Sequence, residues 1–236
     1  GVSPQLSQAV RIDEVDVASS RQRAASWLSF IPMLVIFPAF MAGMNVAIDT
    51  TAGERERNSL EPLLVHPVPR GALVAGKWLA AAVFSGAGVG LTVVSLLFAL
   101  SRVPLQELGI DLQLGQREAL GILAVALPLC LFASGIQVLV ATFARSFKEA
   151  QTYVSMLIML PMVPHFISSV SSLGEAWWMY LVPALGQHLV LTDVVGGEAL
   201  SAGRFVAVAL SSGLLGLACA AVTAKLFERE KIVFGR

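Results

Sequence analysis

Charged residues are scarce in this chain of 236 residues, of which only 14% are Asp, Glu, Lys or Arg. Soluble domains carry about 25% charged residues, whereas 56% of this chain is hydrophobic, so the composition is not that of a water-facing protein. The 16 basic and 16 acidic residues cancel to a formal net charge of zero. This balance argues against a nucleic-acid partner, because binding to phosphates needs a basic surface.

Cysteine and histidine are also few. Cys130 and Cys219 each lie inside a separate apolar run, and a disulfide framework needs more cysteines than these two. We therefore interpret both as small buried apolar residues. His66, His165 and His188 are too scattered for the spacing of metal ligands. The sequence shows no Ser/His/Asp or Cys/His set, so it predicts neither a metal site nor an enzyme active site.

Long apolar runs are what the chain does have. A transmembrane helix needs roughly 20 apolar residues, and in lipid the backbone must satisfy its own hydrogen bonds, so each run of this length is predicted to be a helix. Pro161 and Pro164 are expected to break the fourth run early. The predicted fold is therefore an all-α membrane protein with about five transmembrane helices, at residues 26–48, 78–101, 119–144, 152–172 and 205–227.

The distribution of basic residues predicts the orientation of these spans. Ten Lys and Arg residues lie in the flanks that share one side with the C-terminus, and six lie on the other side. The positive-inside rule then places the C-terminus and the charged insert at residues 49–77 in the cytoplasm. Residues 1–25 are expected outside, and the chain is expected to be a multi-pass protein of the inner (plasma) membrane.

The segment between the fourth and fifth runs, residues 173–203, is too interrupted by Pro and Gly for another span. Trp177, Trp178 and Tyr180 suit a membrane interface, where an amphipathic ring has one wet edge. We expect short re-entrant or interfacial helices that dip into the outer leaflet. Protein or water must cover such a backbone, because lipid does not satisfy it.

The insert at 49–77 is the densest charged block in the chain. Thr51 and Glu54 have the spacing of a capping box, which predicts a helix over about 51–64. Leu60, Leu63 and Leu64 would form its apolar face. Two interpretations remain open from the residues alone: a surface helix that docks into a groove of a partner, or an amphipathic linker at the lipid interface.

Two glycine patterns need separate interpretation. Gly71 to Lys77 fits the first seven positions of the phosphate-binding loop, but Trp78 stands where Ser or Thr must bind magnesium. No strand precedes it, so any ATP must be bound by another chain. Gly86 and Gly90 form a small-xxx-small pattern that favours close packing of two membrane helices.

The polar residues inside the runs limit the mechanism. The central parts of the runs contain no Asp, Glu, Lys or Arg, and ion-coupled carriers place such a group near the middle of the membrane. A secondary transporter is therefore disfavoured. The polar residues that we consider for a transport pathway are Asn45, Gln137 and His165.

Three segments together resemble the type-2 ATP-binding-cassette (ABC) transporter permeases, and more closely their sodium-efflux branch. The first is the insert, with Gly-Glu-Arg-Glu-Arg at 53–57, Ser-Leu-Glu at 59–61, Leu-Leu at 63–64, Pro-Val at 67–68, Arg70 and Gly-Lys at 76–77. The second is Arg-Ser-Phe-Lys-Glu-Ala-Gln-Thr-Tyr at 145–153. The third is the interrupted outer segment together with the last run that follows it, and this stretch ends in Leu-Phe-Glu-Arg-Glu-Lys-Ile at 226–232. The likeness covers residues 26–236.

This resemblance implies the permease subunit of an exporter. In the family the insert forms a coupling helix on a cytoplasmic ATPase subunit that binds ATP and Mg, and two permeases assemble with two such ATPases. The permeases are one another's partners in a homodimer or heterodimer within the membrane lipid. The residues that the resemblance assigns to ATPase contact are Glu54, Arg55, Glu56, Arg57, Leu60, Glu61, Leu63, Leu64, Lys148 and Glu149.

The resemblance also bears on domain organisation. Family members usually have one more span and a large external domain ahead of the first span seen here. Residues 1–25 then correspond to the end of that external domain, and residues 26–236 form the transmembrane permease domain. The chain is expected to be the C-terminal part of a longer permease or a reduced member.

Other functions stay open at the level of sequence. A membrane assembly or scaffold protein with the same fold is the main alternative, and an ion-coupled carrier is a weaker one. The substrate is not specified by these residues. Because the spans hold few polar groups, an amphipathic or lipid-like cargo is as compatible with them as an ion.

Overall fold

The protein is mainly helical in the part that its structure, a computed structural model, describes. That part comprises residues 20–59, 62, 67–102, 115–164, 166 and 176–228, and it contains no strand. The predicted all-α fold class is confirmed.

The described helices follow one another along the chain in a fixed order. They are α1 (Ser20–Met41), α2 (Met44–Ile48), a π-helical turn (Asp49–Gly53), α3 (Glu54–Glu56), α4 (Arg70–Leu100), α5 (Gln116–Ala141), α6 (Phe147–Leu157), a 3₁₀ helix (Trp177–Leu181), α7 (Leu185–Val195) and α8 (Ala202–Phe227).

Four helical segments of the described chain are long and apolar enough to cross a membrane. The first, Phe30–Glu56, runs through α1, α2, the π turn and α3, and the others are α4, α5 and α8. The predicted fourth span is not among them, so a count of five is not confirmed. Its helix α6 ends at Leu157, four residues before Pro161, whose ring would clash with the carbonyl of Leu157 in a continuing helix. The early break is confirmed, and residues 165 and 167–175 lie outside the described part.

α5 lies at the centre of the bundle and contacts α1, α4, α6, α7 and α8. The main apolar core lies between α1, α5 and α7, where Ile36, Phe40, Leu129 and Leu191 are fully buried. Phe40 packs edge-to-face on Phe132, with ring centroids 6.5 Å apart, which is a favoured aromatic geometry. A smaller apolar cluster joins α2 to the end of α5 and to α6.

α5 and α8 make the most extensive helix contact, and two glycines permit it. A Cβ atom on Gly135 would lie 2.8 Å from the carbonyl oxygen of Gly216, and one on Gly216 would lie 2.6 Å from the carbonyl oxygen of Leu131. Both separations are too short for real atoms. Only residues without a side chain let the two backbones approach this closely, as is typical of packing between membrane helices.

The first span is interrupted at Ala42 and Gly43, between α1 and α2. A Cβ atom on Gly43 would overlap the carbonyl oxygen of Ala81 and the hydroxyl of Ser85 on α4. On the other side of the span, the amide of Gln137 donates a hydrogen bond to the carbonyl of Phe40. The interruption is thus held between α4 and α5.

The segment before α8 forms short helices, as predicted. Trp177 and Trp178 are exposed, but Tyr180 is buried, contrary to its expected place at an interface. Its ring lies under the guanidinium of Arg204, at 5.4 Å from the centroid, and Arg204 also pairs with Asp193 at 2.7 Å. The helix α7 is largely buried against α1 and α5, so protein covers this part of the segment.

The contact at Gly216 yields a stability prediction. Gly216→Ala should cost about 1–3 kcal/mol of folding free energy, because the added methyl must push α8 away from α5. The measurement is the thermal unfolding midpoint of the purified protein in detergent, followed by tryptophan fluorescence. Gly213→Ala is the matched control, since a Cβ atom there meets nothing within 4 Å. An equal effect of the two substitutions would contradict this account of the crossing.

Candidate functional site

The end of the first span meets the starts of α4 and α6 at one end of the bundle. We call this region the junction and define it as residues 49–59, Lys77 and residues 144–149. Its centre is the run Glu54-Arg55-Glu56-Arg57, which the family resemblance assigns to ATPase contact. These four side chains bind three parts of the chain: α4, the connection between α5 and α6, and the helix that carries them.

The junction begins inside a helix. The hydroxyl of Thr51 donates to the carbonyl of Ala47 at 2.6 Å, and the Glu54 amide donates to the carbonyls of Asp49 and Thr51. The predicted capping box is therefore wrong. Thr51 does not start a helix, because the residues before it already satisfy the amides that a cap would serve.

The helix then ends at Glu56 with a Schellman motif. The amide of Ser59 donates to the carbonyl of Glu54 at 2.9 Å, and the amide of Asn58 donates to the carbonyl of Arg55 at 3.0 Å. Asn58 has a φ of 54°, the left-handed conformation that this motif needs and that Asn tolerates. The helix predicted over about 51–64 therefore does not begin at Thr51, because it continues from the first span, and it is interrupted at 57–59. Residues 60, 61, 63 and 64 lie outside the described part.

Glu54 binds α4. The Lys77 ammonium forms an ion pair with the Glu54 carboxylate and donates a second hydrogen bond to the carbonyl of Thr50 in the π turn. The Lys77 side chain is only 6% exposed and that of Glu54 22%. An open groove of about 450 Å³ with a mainly apolar lining borders this pair.

Arg55 and Glu56 bind the connection between α5 and α6. The Arg55 guanidinium, which is partly buried, donates to the carbonyl of Ala144 at 2.7 Å. The Glu56 carboxylate accepts the amide of Phe147, the first residue of α6, at 2.6 Å. Both are hydrogen bonds with one charged partner, which are stronger than neutral ones.

Arg57 turns back along its own helix. It pairs with Asp49 at 2.8 Å, and both side chains are more than half exposed. The hydrogen bond from Arg57 to Asp49 raises the pKa of this guanidinium above its ordinary value. Because its side chain is exposed, the charge of Arg57 lies at the surface of the junction. Exposed ion pairs of this kind contribute little to stability.

The start of α6 is capped from within. Ser146 accepts the amide of Glu149 at 3.2 Å. The Glu149 carboxylate accepts the amide of Arg145 and the hydroxyl of Tyr153, each at 2.7 Å. These hydrogen bonds to the ionised form lower the pKa of Glu149. Glu149 therefore serves the helix terminus, whereas Lys148 beside it is exposed.

Comparison with known proteins decides the family. The family model described as ABC-2 family transporter protein matches residues 3–173. The chain belongs to the ABC-2 transporter family. It is also 30% identical over 203 residues to a protein of Bacillus subtilis (strain 168) named ABC transporter permease protein NatB. The alignment covers 83% of this chain and 52% of that relative, so the chain spans about half of the relative's length. No solved structure matches it.

Membership in the ABC-2 family confirms the resemblance found in the sequence. The chain is a multi-pass membrane protein of the permease type.

The structure divides the residues predicted to contact an ATPase subunit into three groups. Glu54 and Arg55 turn inward, toward α4 and the α5–α6 connection. Glu56, Arg57 and Lys148 are exposed. Glu149 is half-buried and bonds within the chain at the start of α6, so it belongs with the first group. The remaining members lie outside the described part, namely Leu60, Glu61, Leu63 and Leu64. Contact of any of these residues with an ATPase stays a prediction.

The proposed pathway residues also differ in position. Asn45 is exposed on the outer face of the first span, whereas Gln137 is fully buried. The side-chain amide of Gln137 donates to the carbonyl of Phe40. The burial of Gln137 and this bond to the first span argue for a packing role. His165 lies outside the described part.

The predicted Gly86 and Gly90 packing face makes no close helix contact among the described residues. A Cβ atom on Gly86 would meet only the Leu127 side chain at an ordinary 3.5 Å, and one on Gly90 would meet nothing within 4 Å. The close approach between α4 and the first span lies instead at Gly43 and Gly88. Contact of Gly86 and Gly90 with another subunit stays a prediction.

Sequence reasoning missed the role of Lys77. Gly71 to Lys77 form the first turns of α4, which is not the loop that binds phosphate. The available signal was one lysine at the very start of an apolar run, where a charge must find a partner or reach water. Within the described residues, no group of His, Cys, Asp and Glu is placed to hold a metal ion.

The bond between Glu56 and Phe147 yields a local prediction. Glu56→Ala should speed hydrogen–deuterium exchange at the Phe147 amide by about tenfold or more, because a hydrogen bond to a charged group contributes about 1.5–3 kcal/mol. Mass spectrometry of peptides that cover 145–150 measures this rate. Arg57→Ala is the control, since Arg57 binds Asp49 and not α6. Unchanged exchange in Glu56→Ala would show that the two segments are not joined there.

Proposed function

We propose that this chain is the transmembrane permease subunit of an ABC exporter, which moves its substrate outward with energy from ATP hydrolysed by a separate subunit. The observation that supports this most is the junction. Its charged run is bonded to the start of α4 through Glu54 and to the α5–α6 connection through Arg55 and Glu56. A force applied at α3 therefore reaches several membrane helices at once.

In this proposal the junction faces the cytoplasm, as the excess of basic residues on its side predicts. The ATPase subunit binds ATP and Mg and contacts the exposed part of the junction. Glu56, Arg57 and Lys148 present charges of both signs there, which suits a complementary polar interface. Leu60, Leu63 and Leu64 are proposed to seat the same segment, with Glu61 beside them.

The complete transporter is proposed to contain two permeases and two ATPases in the inner membrane. The family supports an ATP-binding partner, and the composition of the chain suits a subunit surrounded by lipid and a second permease. α4 and α8 carry many exposed apolar side chains, such as Val83, Leu91 and Leu214. The substrate path would lie between the two permeases, where Asn45 on the outer face of the first span would be available to line it.

The substrate proposal rests on the family branch. Sodium is the substrate class that the sequence resemblance implies, and any sodium site in the central parts of the described spans would have to use neutral oxygens. Radioactive sodium uptake into inverted vesicles tests this. An ATP-dependent uptake supports sodium, whereas ATP turnover without uptake points to a different cargo.

The first prediction concerns the partner. Purification of the full chain in mild detergent should recover a cytoplasmic ATPase, and reconstitution in liposomes should give ATP turnover that depends on both subunits. The measurement is phosphate release with and without the permease. Recovery of the chain without any ATPase, and without ATP turnover, would instead indicate the scaffold function.

Another prediction distinguishes the exposed charge of Arg57 from the partly buried charge of Arg55. Arg57→Glu should leave the chain folded but lower permease-dependent ATP turnover by about fivefold or more, a typical size for coupling between two sites. Arg55→Glu should reduce the yield of folded protein, because it places a carboxylate against the carbonyl of Ala144.

The assays are phosphate release in liposomes and gel filtration in detergent. Lys225→Glu is the control, since Lys225 is an exposed residue in the last turn of α8. Wild-type turnover in the Arg57→Glu variant would count against the proposed docking surface.

A further inference from the structure

We propose that Lys77 is a positioning residue that transmits motion from the end of the first span to α4. This inference rests on the proposed function, because it assumes that an ATPase moves the junction. It assigns to Glu54 an internal role in place of direct contact with the ATPase.

The first argument is the burial of a charge. Lys77 is 6% exposed, and an ammonium held away from water must be paired and hydrogen-bonded. Its two acceptors, the Glu54 carboxylate and the Thr50 carbonyl, both belong to the end of the first span. If the two helices separated, the ammonium would lose both of its acceptors at once. The end of the first span and the start of α4 must therefore move together.

The second argument is the local backbone. Thr50 lies in the π turn, Asp49–Gly53, and π turns inside α-helices occur frequently at functional sites. Lys77 binds a carbonyl of this turn and the first residue of α3. One ammonium thus spans the irregular turn and the charged run that follows it.

The third argument is the position of the next residue. The indole of Trp78 donates to the carbonyl of Leu131 on α5 at 2.8 Å. Consecutive residues of α4 therefore bind the first span on one side and the central helix on the other. Motion that enters at Glu54 reaches α4 through Lys77 at the point where α4 is also held to α5.

The test uses three variants of the full chain in complex with its ATPase. Lys77→Met keeps an unbranched side chain about as long as the aliphatic part of lysine but removes the ammonium. Lys77→Met combined with Glu54→Gln removes both charges, so it leaves no unpaired buried carboxylate and separates folding from transmission. Lys225→Met is the matched control, because it removes an exposed ammonium from the last turn of α8.

The measurement is electron–electron distance between spin labels, with and without ATP and vanadate. One pair, at Ser59 and Leu214, reports the end of the first span against α8. The other, at Val83 and Leu214, reports α4 against α8; all three sites are exposed. The labels are placed in a background with Cys130→Ala and Cys219→Ala that retains ATP turnover. Labelled chain is diluted with unlabelled chain, so that distances within one chain are read.

We expect both distances to shift in the wild-type chain and in Lys225→Met. In Lys77→Met and in the doubly neutral variant, the Ser59 distance should still shift and the Val83 shift should be lost. Retention of the Val83 shift in the doubly neutral variant would overturn the role of Lys77 while leaving the proposed function intact. Absence of a Ser59 shift in the wild-type chain would overturn both proposals.

Discussion

A buried charge is the constraint on which the junction depends. Lys77 lies in the first turns of α4 with little access to water, and its ammonium is stabilised by the Glu54 carboxylate and the Thr50 carbonyl. Such a pair need not add to net stability, but losing one partner leaves a charge without compensation. The end of the first span is therefore bound to α4, and Arg55 and Glu56 extend the same constraint to the α5–α6 connection.

The spans above the junction are ordered by a different interaction. Within lipid there is little hydrophobic drive between helices, so close backbone packing stabilises the bundle. Gly135 and Gly216 allow α5 and α8 to approach, and Gly43 allows the first span to approach α4. The bundle therefore combines close contacts between small residues in its middle with charged hydrogen bonds at one end.

The sequence predictions were most accurate where the structure depends on residues that are close together in the chain. Four spans were predictable, because a long apolar run has few alternatives to a helix in a membrane, and the break before Pro161 follows from local geometry. The capping box predicted at Thr51 was wrong, because that pattern marks the start of a helix only when the residues before it are not helical. Likewise, Gly86 and Gly90 match a packing pattern, but the rotation of α4 in the bundle turns Gly88 toward Ala42 of the first span.

The sequence by itself determined the helical class, the approximate bounds of four spans and the likeness to the ABC-2 permeases, because these depend on local composition and on contiguous motifs. Only the tertiary structure decided that Glu54 and Arg55 turn inward while Arg57 stays at the surface. The reason is that Lys77 and the carbonyl of Ala144 come from segments 23 and 89 residues away. Contacts over such separations are set by how the helices pack, and the order of charges in a short run does not reveal which of them will be buried.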